Sequence, residues 1–521
     1  MLRLSLSAAA AAAAIAGATA CSSSNGGSST PTTPAAWMAG VFQPASTFAA
    51  QCATPRSGTD PATGKAFPDK AGSTLAQNNW LRSWTHDLYL WYREVPDLNP
   101  ASYSTADYFN VLKTSATTPS GNPKDKFHFT YPTDQWEALS QSGVAAGYGA
   151  QWVVIASRPP RQVVVGYTQP NSPAASANLA RGAQVLTVDG VDLVNASDSA
   201  SIDKLNAGLF PSAPGGSHTF SILDLGGSPR TVTMVATNVT ETPVQNVGTI
   251  GTRSGPVGYM LFNDHIATAE AQLISAFSQL QGAGVSDLVL DIRYNGGGYL
   301  DIASEVAYMI AGPGPTTGQG FEKTVFNDKY TTTDPVTGER LAPVPFHTTS
   351  QGFSGPQGQP LPTLNLSRVF VLSSPNTCSA SEAIMNGLRG VNVQVIQIGT
   401  TTCGKPYGFY PQDNCGTTYF SIEFQGVNAQ GFGDYPDGFS PANTTGSPGV
   451  ALPGCSVGDD FSHALGDPAE GRLSAALAYR ASQSCPAPAA ASTNPDLVRG
   501  AAASDGLAHK SPWRENRIYR R

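Results

Sequence analysis

Residues 368–408 read RVFVLSSPNTCSASEAIMNGLRGVNVQVIQIGTTTCGKPYG and carry the clearest structural signal in the chain. The segment begins with a strand-like run, Arg368 to Ser373, and continues into a helical pattern, Ser381 to Leu388. It returns as a second apolar strand, Val391 to Ile398. A strand, a helix and a strand in this order form a right-handed unit whose two strands lie parallel. The segment therefore predicts an α/β fold built on a mainly parallel sheet.

The two loops of this unit carry a serine and a lysine. Ser379 lies between the first strand and the helix, and Lys405 follows the second strand beside Gly404. Because both loops lie at the same sheet edge, we expect Lys405 to return close to Ser379. A desolvated, neutral lysine can take the proton of a serine hydroxyl, so the pair indicates nucleophilic catalysis. Taken singly, each has another interpretation, the serine as a helix N-cap and the lysine as a surface charge.

A glycine-rich loop belongs to the same predicted edge. Residues 287–298 read DLVLDIRYNGGG, a strand followed by three glycines, and a helix is expected from Tyr299 to Ile310. The free N–H groups at the start of the helix after Ser379 can face a developing oxyanion, and those of the three glycines can point into the same site. A phosphate-binding loop is disfavoured, because neither of its usual glycine patterns is present.

Three motifs together resemble the signature of the carboxyl-terminal processing (tail-specific) peptidases, which are tricorn-related serine peptidases: Asp291-Ile292-Arg293-Tyr294-Asn295-Gly296-Gly297-Gly298, Ser379-Ala380-Ser381-Glu382 and Gly404-Lys405. The resemblance implies a serine endopeptidase with Ser379 as nucleophile and Lys405 as general base. It also implies an oxyanion hole at Ala380 with Gly297 or Gly298, protein or peptide substrates, and no metal or cofactor. Many members carry Gly-Thr-Val-Gln after the lysine, and its glutamine orients the base. In this chain Lys405 is followed by Pro406-Tyr407-Gly408, so the glutamine that orients the base is missing.

Several alternatives remain open at this point. Ser381 could be the nucleophile in place of Ser379. His265 or His463 could be the base in place of Lys405, since tricorn itself is said to use a histidine. The chain could also be a catalytically silent peptide- or ligand-binding lipoprotein on the same scaffold, as retinoid-binding relatives are.

Residues 143–240 form a β-rich pattern ahead of this core. Val163 to Tyr167 is strand-like, Ser172 to Leu179 indicates a short helix, and Asp189-Gly190 indicates a hairpin turn. The pattern resembles a PDZ domain of the bacterial protease type. The resemblance implies binding of C-terminal peptides by strand addition, with the loop Gly147-Tyr148-Gly149 receiving the terminal carboxylate.

The beginning of the chain indicates export. Arg3 precedes a short apolar run, and Ala18-Thr19-Ala20-Cys21 resembles the lipobox of bacterial lipoproteins, with Cys21 as the lipidated residue. Simple cleavage after Ala20 and secretion is the alternative. We therefore expect a lipid-anchored protein of the cell envelope that faces the periplasm at the outer membrane, with no other membrane contact.

The expected organisation is a multi-domain α/β chain. The segment from Trp80 to Trp91 repeats large apolar residues at helical spacing, which indicates a packed helix near the N-terminus. The predicted segments are a signal peptide (1–20), a lipidated flexible tether (21–35), a helical N-terminal region (36–142), the PDZ-like module (143–240), the catalytic core (245–480) and a disordered tail (486–521).

The composition limits the classes of binding partner and the cellular compartment that the protein can have. The net charge of -7 and the lack of a basic stripe disfavour a nucleic-acid partner. Six cysteines remain beyond Cys21, an even number that indicates disulfides in an oxidising compartment. Cys403 and Cys415 flank the Lys405 loop and are the first expected pair, with Cys378 as the alternative partner. The sequence leaves the substrate and the oligomeric state open.

Overall fold

A computed structural model describes residues 37–61 and 63–486. The chain divides into two units, Met1–Ala39 and Gly40–Arg521, and the second contains all of the elements given below. The predicted signal peptide, Cys21, the tether and the tail beyond residue 486 lie outside the described residues. None of the described helices has both the length and the apolar character needed to cross a membrane.

The N-terminal region is partly helical, as predicted. Trp80, Trp84 and Leu88 are buried on one helix, whereas Trp91 lies beyond the end of that helix and packs against Tyr407. Its elements are β1 (Gln51–Cys52), β2 (Lys70–Ala71), α1 (Thr74–Leu88), α2 (Thr105–Val111), β3 (Phe129–Pro132) and α3 (Thr133–Ser142), with 3-10 turns at Ala45–Thr47, Tyr92–Glu94 and Pro100–Ser102.

The β-rich module has its own apolar core and one main sheet. The path through that sheet is β10-β9-β7-β6-β5, with β8 paired to β7, while β4 pairs with β11. Its elements are β4 (Val144–Gly147), β5 (Ala150–Ala156), β6 (Gln162–Thr168), α4 (Pro173–Ser176), β7 (Gln184–Val188), β8 (Val191–Asp192), α5 (Ser199–Leu209), β9 (Ser217–Leu223), β10 (Pro229–Val235) and β11 (Thr237–Thr240).

The remainder is an α/β core around a six-stranded sheet with the order β12-β13-β14-β17-β18-β25. All neighbours in it are parallel except β12 and β13. The elements are β12 (Val244–Ile250), β13 (Val257–Phe262), α6 (Ala269–Gly282), β14 (Asp287–Asp291), α7 (Leu300–Ala311), α8 (Pro313–Thr316), β15 (Gly320–Phe326), β16 (Val344–Pro345), β17 (Arg368–Ser373), α9 (Ala380–Gly390), β18 (Gln394–Gly399), β19 (Tyr407–Gly408), β20 (Gln412–Asn414), β21 (Thr417–Phe420), β22 (Phe424–Val427), β23 (Phe439–Pro441), β24 (Val450–Leu452), β25 (Gly454–Ser456) and α10 (Gly471–Ser482).

Both faces of this sheet are covered. Helices α6, α7 and α9 fill the core on one face, and α10 packs on the other together with residues of the β-module such as Tyr167. Burial on both faces explains why β13, β14 and β17 are nearly continuous apolar runs. The predicted mainly parallel sheet is confirmed, and its carboxyl edge places the loops after β14, β17 and β18 side by side.

Candidate active site

Ser379 occupies a strained turn between β17 and α9. Its backbone has φ 61° and ψ -112°, a left-handed region that a residue with a side chain seldom adopts. The residue is 2% exposed, and its Oγ has no hydrogen-bond partner among the described residues. A sharp strand-to-helix turn with an unengaged hydroxyl is the arrangement that presents a nucleophile at a sheet edge.

Lys405 is buried in the loop after β18. The side chain is 1% exposed, and its Nζ lies 4.4 Å from the ring centroid of Phe409 and 5.1 Å from that of Phe127. Lys405 and Ser379 line the same small cavity. The structure therefore brings together the two residues that the sequence selected, and the N-terminal region supplies Phe127 as part of the wall around the lysine.

Glu382 links the two loops through their backbones. Its Oε2 accepts the Ser379 N–H at 3.0 Å and the Lys405 N–H at 2.8 Å. Its Oε1 accepts the Gly404 N–H at 2.9 Å and the Thr402 hydroxyl at 2.5 Å. Burial raises the pKa of this carboxyl, while the four donors oppose the rise. One fully buried side chain thus sets the separation between the serine loop and the lysine loop.

We expect Glu382→Gln to lower kcat about 100-fold with little change in KM, because an amide nitrogen would face N–H donors and shift the loops. Steady-state kinetics on one peptide substrate measures the two constants separately. Thr402→Ser keeps the hydroxyl donor and is the control that should retain activity. Wild-type kcat in the folded Glu382→Gln protein would show that the link is unnecessary.

The glycines of the loop after β14 lie against the serine turn. A Cβ at Gly297 would come within 2.9 Å of the Ser379 Cβ and the Ala380 N. The Gly297 N–H donates to Asn295 Oδ1 at 2.9 Å, whereas the Gly298 and Ala380 N–H groups make no hydrogen bond to the described residues. Of the two glycines, Gly298 thus has the N–H that is available to an oxyanion.

Asn295 connects the glycine loop to the serine loop and to the end of β13 through hydrogen bonds. Its backbone oxygen accepts the Cys378 N–H at 3.1 Å, and its Nδ2 donates to Phe262 O at 3.0 Å. Its Oδ1 accepts from Gly297 and contacts His265 Nδ1 at 2.9 Å. Asn295 had no predicted role of its own, although it lies within the Asp-Ile-Arg-Tyr-Asn motif that indicated the loop.

The alternative catalytic residues make other contacts. The Ser381 hydroxyl donates to Asn295 O at 3.1 Å, so it supports the glycine loop. His463 is exposed and pairs with Asp460 at 2.6 Å. His265 is fully buried against Asn295 and Gly298. Ser381 and His463 thus have partners away from the cavity shared by Ser379 and Lys405, whereas His265 lies beside the glycine loop.

Two regions of the sequence match models of known protein families. Residues 256–409 match the model for Peptidase family S41, and residues 76–131 match the Peptidase S41 N-terminal domain. Two regions of the chain thus resemble domains of peptidase family S41. It is 28% identical over 184 residues to a carboxyl-terminal-processing protease of Picosynechococcus, covering 34% of this chain and 41% of the relative.

A second relative is the chloroplastic C-terminal processing peptidase of Tetradesmus obliquus, 29% identical over 166 residues, which are 30% of this chain and 34% of the relative. The chain thus matches less than half the length of either curated relative. A crystal structure of a Bacteroides fragilis protein assigned to the S41 proteases superposes with a TM-score of 0.57 at 22% identity, covering 78% of this chain and 97% of that one. That likeness shows the shared fold.

Disulfides fix the candidate site from two sides. The bonds are Cys52–Cys415, Cys378–Cys403 and Cys455–Cys485. The first expected pair, Cys403 with Cys415, is therefore wrong. Cys415 lies at the turn between β20 and β21 and meets the N-terminal region, while the Cys403 N–H bonds to Thr377 O and faces the serine loop. The alternative partner, Cys378, is the observed one.

The Cys378–Cys403 bond spans the dyad, because Cys378 precedes Ser379 directly and Cys403 lies two residues before Lys405. Together with Glu382 these sulfurs form a group with metal-ligand chemistry, with all ligand atoms within 4.8 Å. The disulfide uses both sulfurs, so the group has no thiolate to offer a metal. In this structure the disulfide is a covalent link between the serine loop and the lysine loop.

A cleft of ≈ 730 Å³ connects the β-module with the site. It is lined by Gly147, Tyr148, Gly149 and β5, and it extends to Gly296 and Asn376 beside the catalytic loops. The Tyr148 hydroxyl donates to Gly208 O at 2.9 Å, so its ring fills the module core and the loop backbone faces the cleft. Strand β5 pairs only with β6 in the described sheet, which leaves its other edge for an added strand.

A buried charge cluster on the other side of the loop was missed by sequence reasoning. Arg293 is fully buried and pairs with Asp291 at 2.8 Å, Asp459 at 2.6 Å and Glu470 at 2.7 Å. Arg181 of the β-module reaches the same Asp459 at 2.6 Å. These cations hold the pKa of Asp459 well below its usual range. The cluster anchors both the glycine loop and the β-module to the segment before α10.

Proposed function

We propose that this protein is a serine endopeptidase with Ser379 as nucleophile and Lys405 as general base. The observation that carries the proposal is the burial of both side chains around one cavity, with their loops joined by Glu382 and the Cys378–Cys403 disulfide. The match of residues 256–409 to peptidase family S41 and the likeness to a carboxyl-terminal-processing protease support a protein or peptide as substrate.

The reaction follows from the positions of these groups. Ser379 Oγ attacks the peptide carbonyl carbon while neutral Lys405 takes the hydroxyl proton. The Ala380 and Gly298 N–H groups receive the oxyanion. The C–N bond then breaks, the amine leaves with the proton from Lys405, and a water molecule hydrolyses the acyl-enzyme. No step requires a cofactor.

Covalent labelling tests this proposal directly. A fluorophosphonate probe should modify the intact protein at one residue, and peptide mass spectrometry should place the adduct on Ser379. The Ser381→Ala variant should label as the wild type does. Absence of any adduct from protein that also cleaves no peptide would refute the peptidase, and tight peptide binding without cleavage would favour the silent binding protein.

The β-module is proposed to recognise the C-terminus of a substrate. The open edge of β5 and the loop at Gly147-Tyr148-Gly149 line one continuous cleft that leads to the glycine loop. A chain that adds a strand to β5 would receive its terminal carboxylate at this loop and enter the site through the same cleft.

We expect a peptide with a free apolar C-terminus to be cut with at least tenfold higher kcat/KM than the same peptide with an amidated terminus. The reason is the loss of the carboxylate contact. A change in KM alone would indicate that the β-module only tethers the substrate. A change in kcat as well would indicate that the module also gates the active site. Equal constants for the two peptides would eliminate tail recognition and leave the dyad intact.

The site of action is proposed to be the cell envelope, with Cys21 as the lipid attachment point. This rests on the lipobox-like Ala18-Thr19-Ala20-Cys21 and on three disulfides, which persist in oxidising compartments. Metabolic labelling with a palmitate analogue should mark the wild type and not Cys21→Ala. Secretion without a label would instead support simple cleavage after Ala20.

A further inference from the structure

The cavity beside Ser379 is lined in part by an acidic residue that the reaction does not use. Its walls include Leu300, Ala383, Phe424 and Tyr435, and Glu322 is the acidic residue among the residues that line it with the dyad. Ala380 begins α9 and Ala383 lies one turn further along. This is the space next to the oxyanion groups that the side chain on the acyl side of the scissile bond, P1, would enter.

Glu322 is buried without compensation. It lies on β15, is 6% exposed, and makes no hydrogen bond or ion pair with the described residues. Burial raises the pKa of this carboxyl to about 8, with no opposing partner. A carboxyl in that position destabilises the fold, because a buried polar group without a hydrogen bond costs free energy.

The neighbouring strand leaves room for this carboxyl. A Cβ at Gly426 would lie 2.2 to 2.4 Å from the carboxyl atoms of Glu322, so any larger residue there would force this carboxyl to move. Thr324 pairs with Gly426 across β15 and β22, and Glu322 lies two positions before Thr324 on the same face. The next residue, Lys323, is exposed, so the alternation of β15 directs Glu322 inward.

The size of the cavity limits what the carboxyl can meet. Its volume is only ≈ 10 Å³, enough for about one water molecule. A leucine, phenylalanine or arginine side chain would need the aromatic walls to move, whereas a serine side chain adds one carbon and one hydroxyl. A hydroxyl can donate to a carboxyl oxygen, or accept from the neutral acid, in the place that a water molecule would take.

We propose that Glu322 is a specificity-determining residue that selects a short hydroxyl side chain, serine above all, at P1. This inference rests on the proposed peptidase function. A P1 alanine would fit the space but would leave the carboxyl unpaired, and an acidic P1 would place two carboxyl groups together in a nearly dry pocket. The pocket thus favours serine over residues of similar size that lack the hydroxyl.

The test is a set of peptides identical except at P1, with serine, alanine, valine, lysine or glutamate. We expect the wild-type kcat/KM for serine to exceed that for alanine by about 10- to 100-fold, with the others lower still. Glu322→Met should bring the serine-to-alanine ratio to about one or below, and it should raise Tm by removing the unpaired carboxyl. Glu322→Gln keeps a hydrogen-bonding group and should keep a ratio above one. Lys323→Met, on the exposed face of the same strand, is the control with an unchanged ratio.

The outcomes separate this inference from the function on which it rests. A wild-type enzyme that cuts the serine and alanine peptides equally, or that prefers lysine, would overturn the role of Glu322, and so would an unchanged ratio in Glu322→Met. The wild-type series alone decides the question if that variant does not fold. Failure to cut any peptide, together with failure of the fluorophosphonate to label Ser379, would instead refute the peptidase itself.

Discussion

Replacement of Ser379 by alanine is expected to lower kcat/KM by at least about 10⁴-fold, without unfolding the protein. Removal of the nucleophile from a serine–base unit leaves only the catalysis that the oxyanion groups and binding provide. The Ser379 hydroxyl makes no hydrogen bond with the described residues, so its loss removes no contact of the folded state. The substitution should not relieve the strain of the positive-φ backbone at this position, because alanine also has a Cβ atom.

The matched control is Ser381→Ala, two residues away in the same motif. Its hydroxyl donates to Asn295 O, and loss of that single bond is expected to reduce activity by less than about tenfold. Single-turnover cleavage of a peptide with a free C-terminus, with thermal unfolding of each variant, measures both effects. Wild-type activity in Ser379→Ala, or loss of activity only in Ser381→Ala, would move the nucleophile to Ser381.

The sequence was sufficient to predict the sheet edge. The strand at Arg368–Ser373 has the predicted bounds, because a buried parallel strand is an uninterrupted apolar run between turn residues. The strand after α9 begins at Gln394 rather than Val391, since Asn392 adopts a positive φ in the turn. Local sequence patterns were therefore enough to predict these strands and helices. The handedness of the β-α-β unit was enough to predict that Ser379 and Lys405 lie close together.

Other features of the site depend on tertiary contacts that no local pattern encodes. Cys52 and Cys415 are 363 positions apart and meet only because the N-terminal region packs on the β20–β21 hairpin. Glu382 looks like an ordinary first-turn acid of a helix, and its contacts with the lysine loop appear only in the folded chain. Glu322 breaks the rule that polar residues of a half-buried strand face outward, which is a departure expected at functional positions.

The lysine base makes a second prediction of large effect. We expect Lys405→Met to lower kcat by at least about 10³-fold, because methionine keeps the apolar stem between Phe127 and Phe409 but cannot accept a proton. The protein should remain folded and should still bind peptide, so KM and peptide affinity should change little. Stopped-flow kinetics measures the rate of cleavage, and equilibrium binding of a fluorescent peptide measures the affinity, so the two effects are determined separately.

The pH dependence identifies the base independently of that variant. Only a neutral lysine accepts the serine proton, so kcat of the wild type should rise toward alkaline pH and should not level off near the histidine reference value of about 6.5. His463→Ala should leave the profile unchanged, because His463 is exposed and pairs with Asp460. A plateau reached by about pH 7 and abolished by substitution of His265 would instead assign the base to His265. The glycine loop would then supply both the oxyanion site and the contacts that hold the base, since His265 packs directly against Gly298 and Asn295.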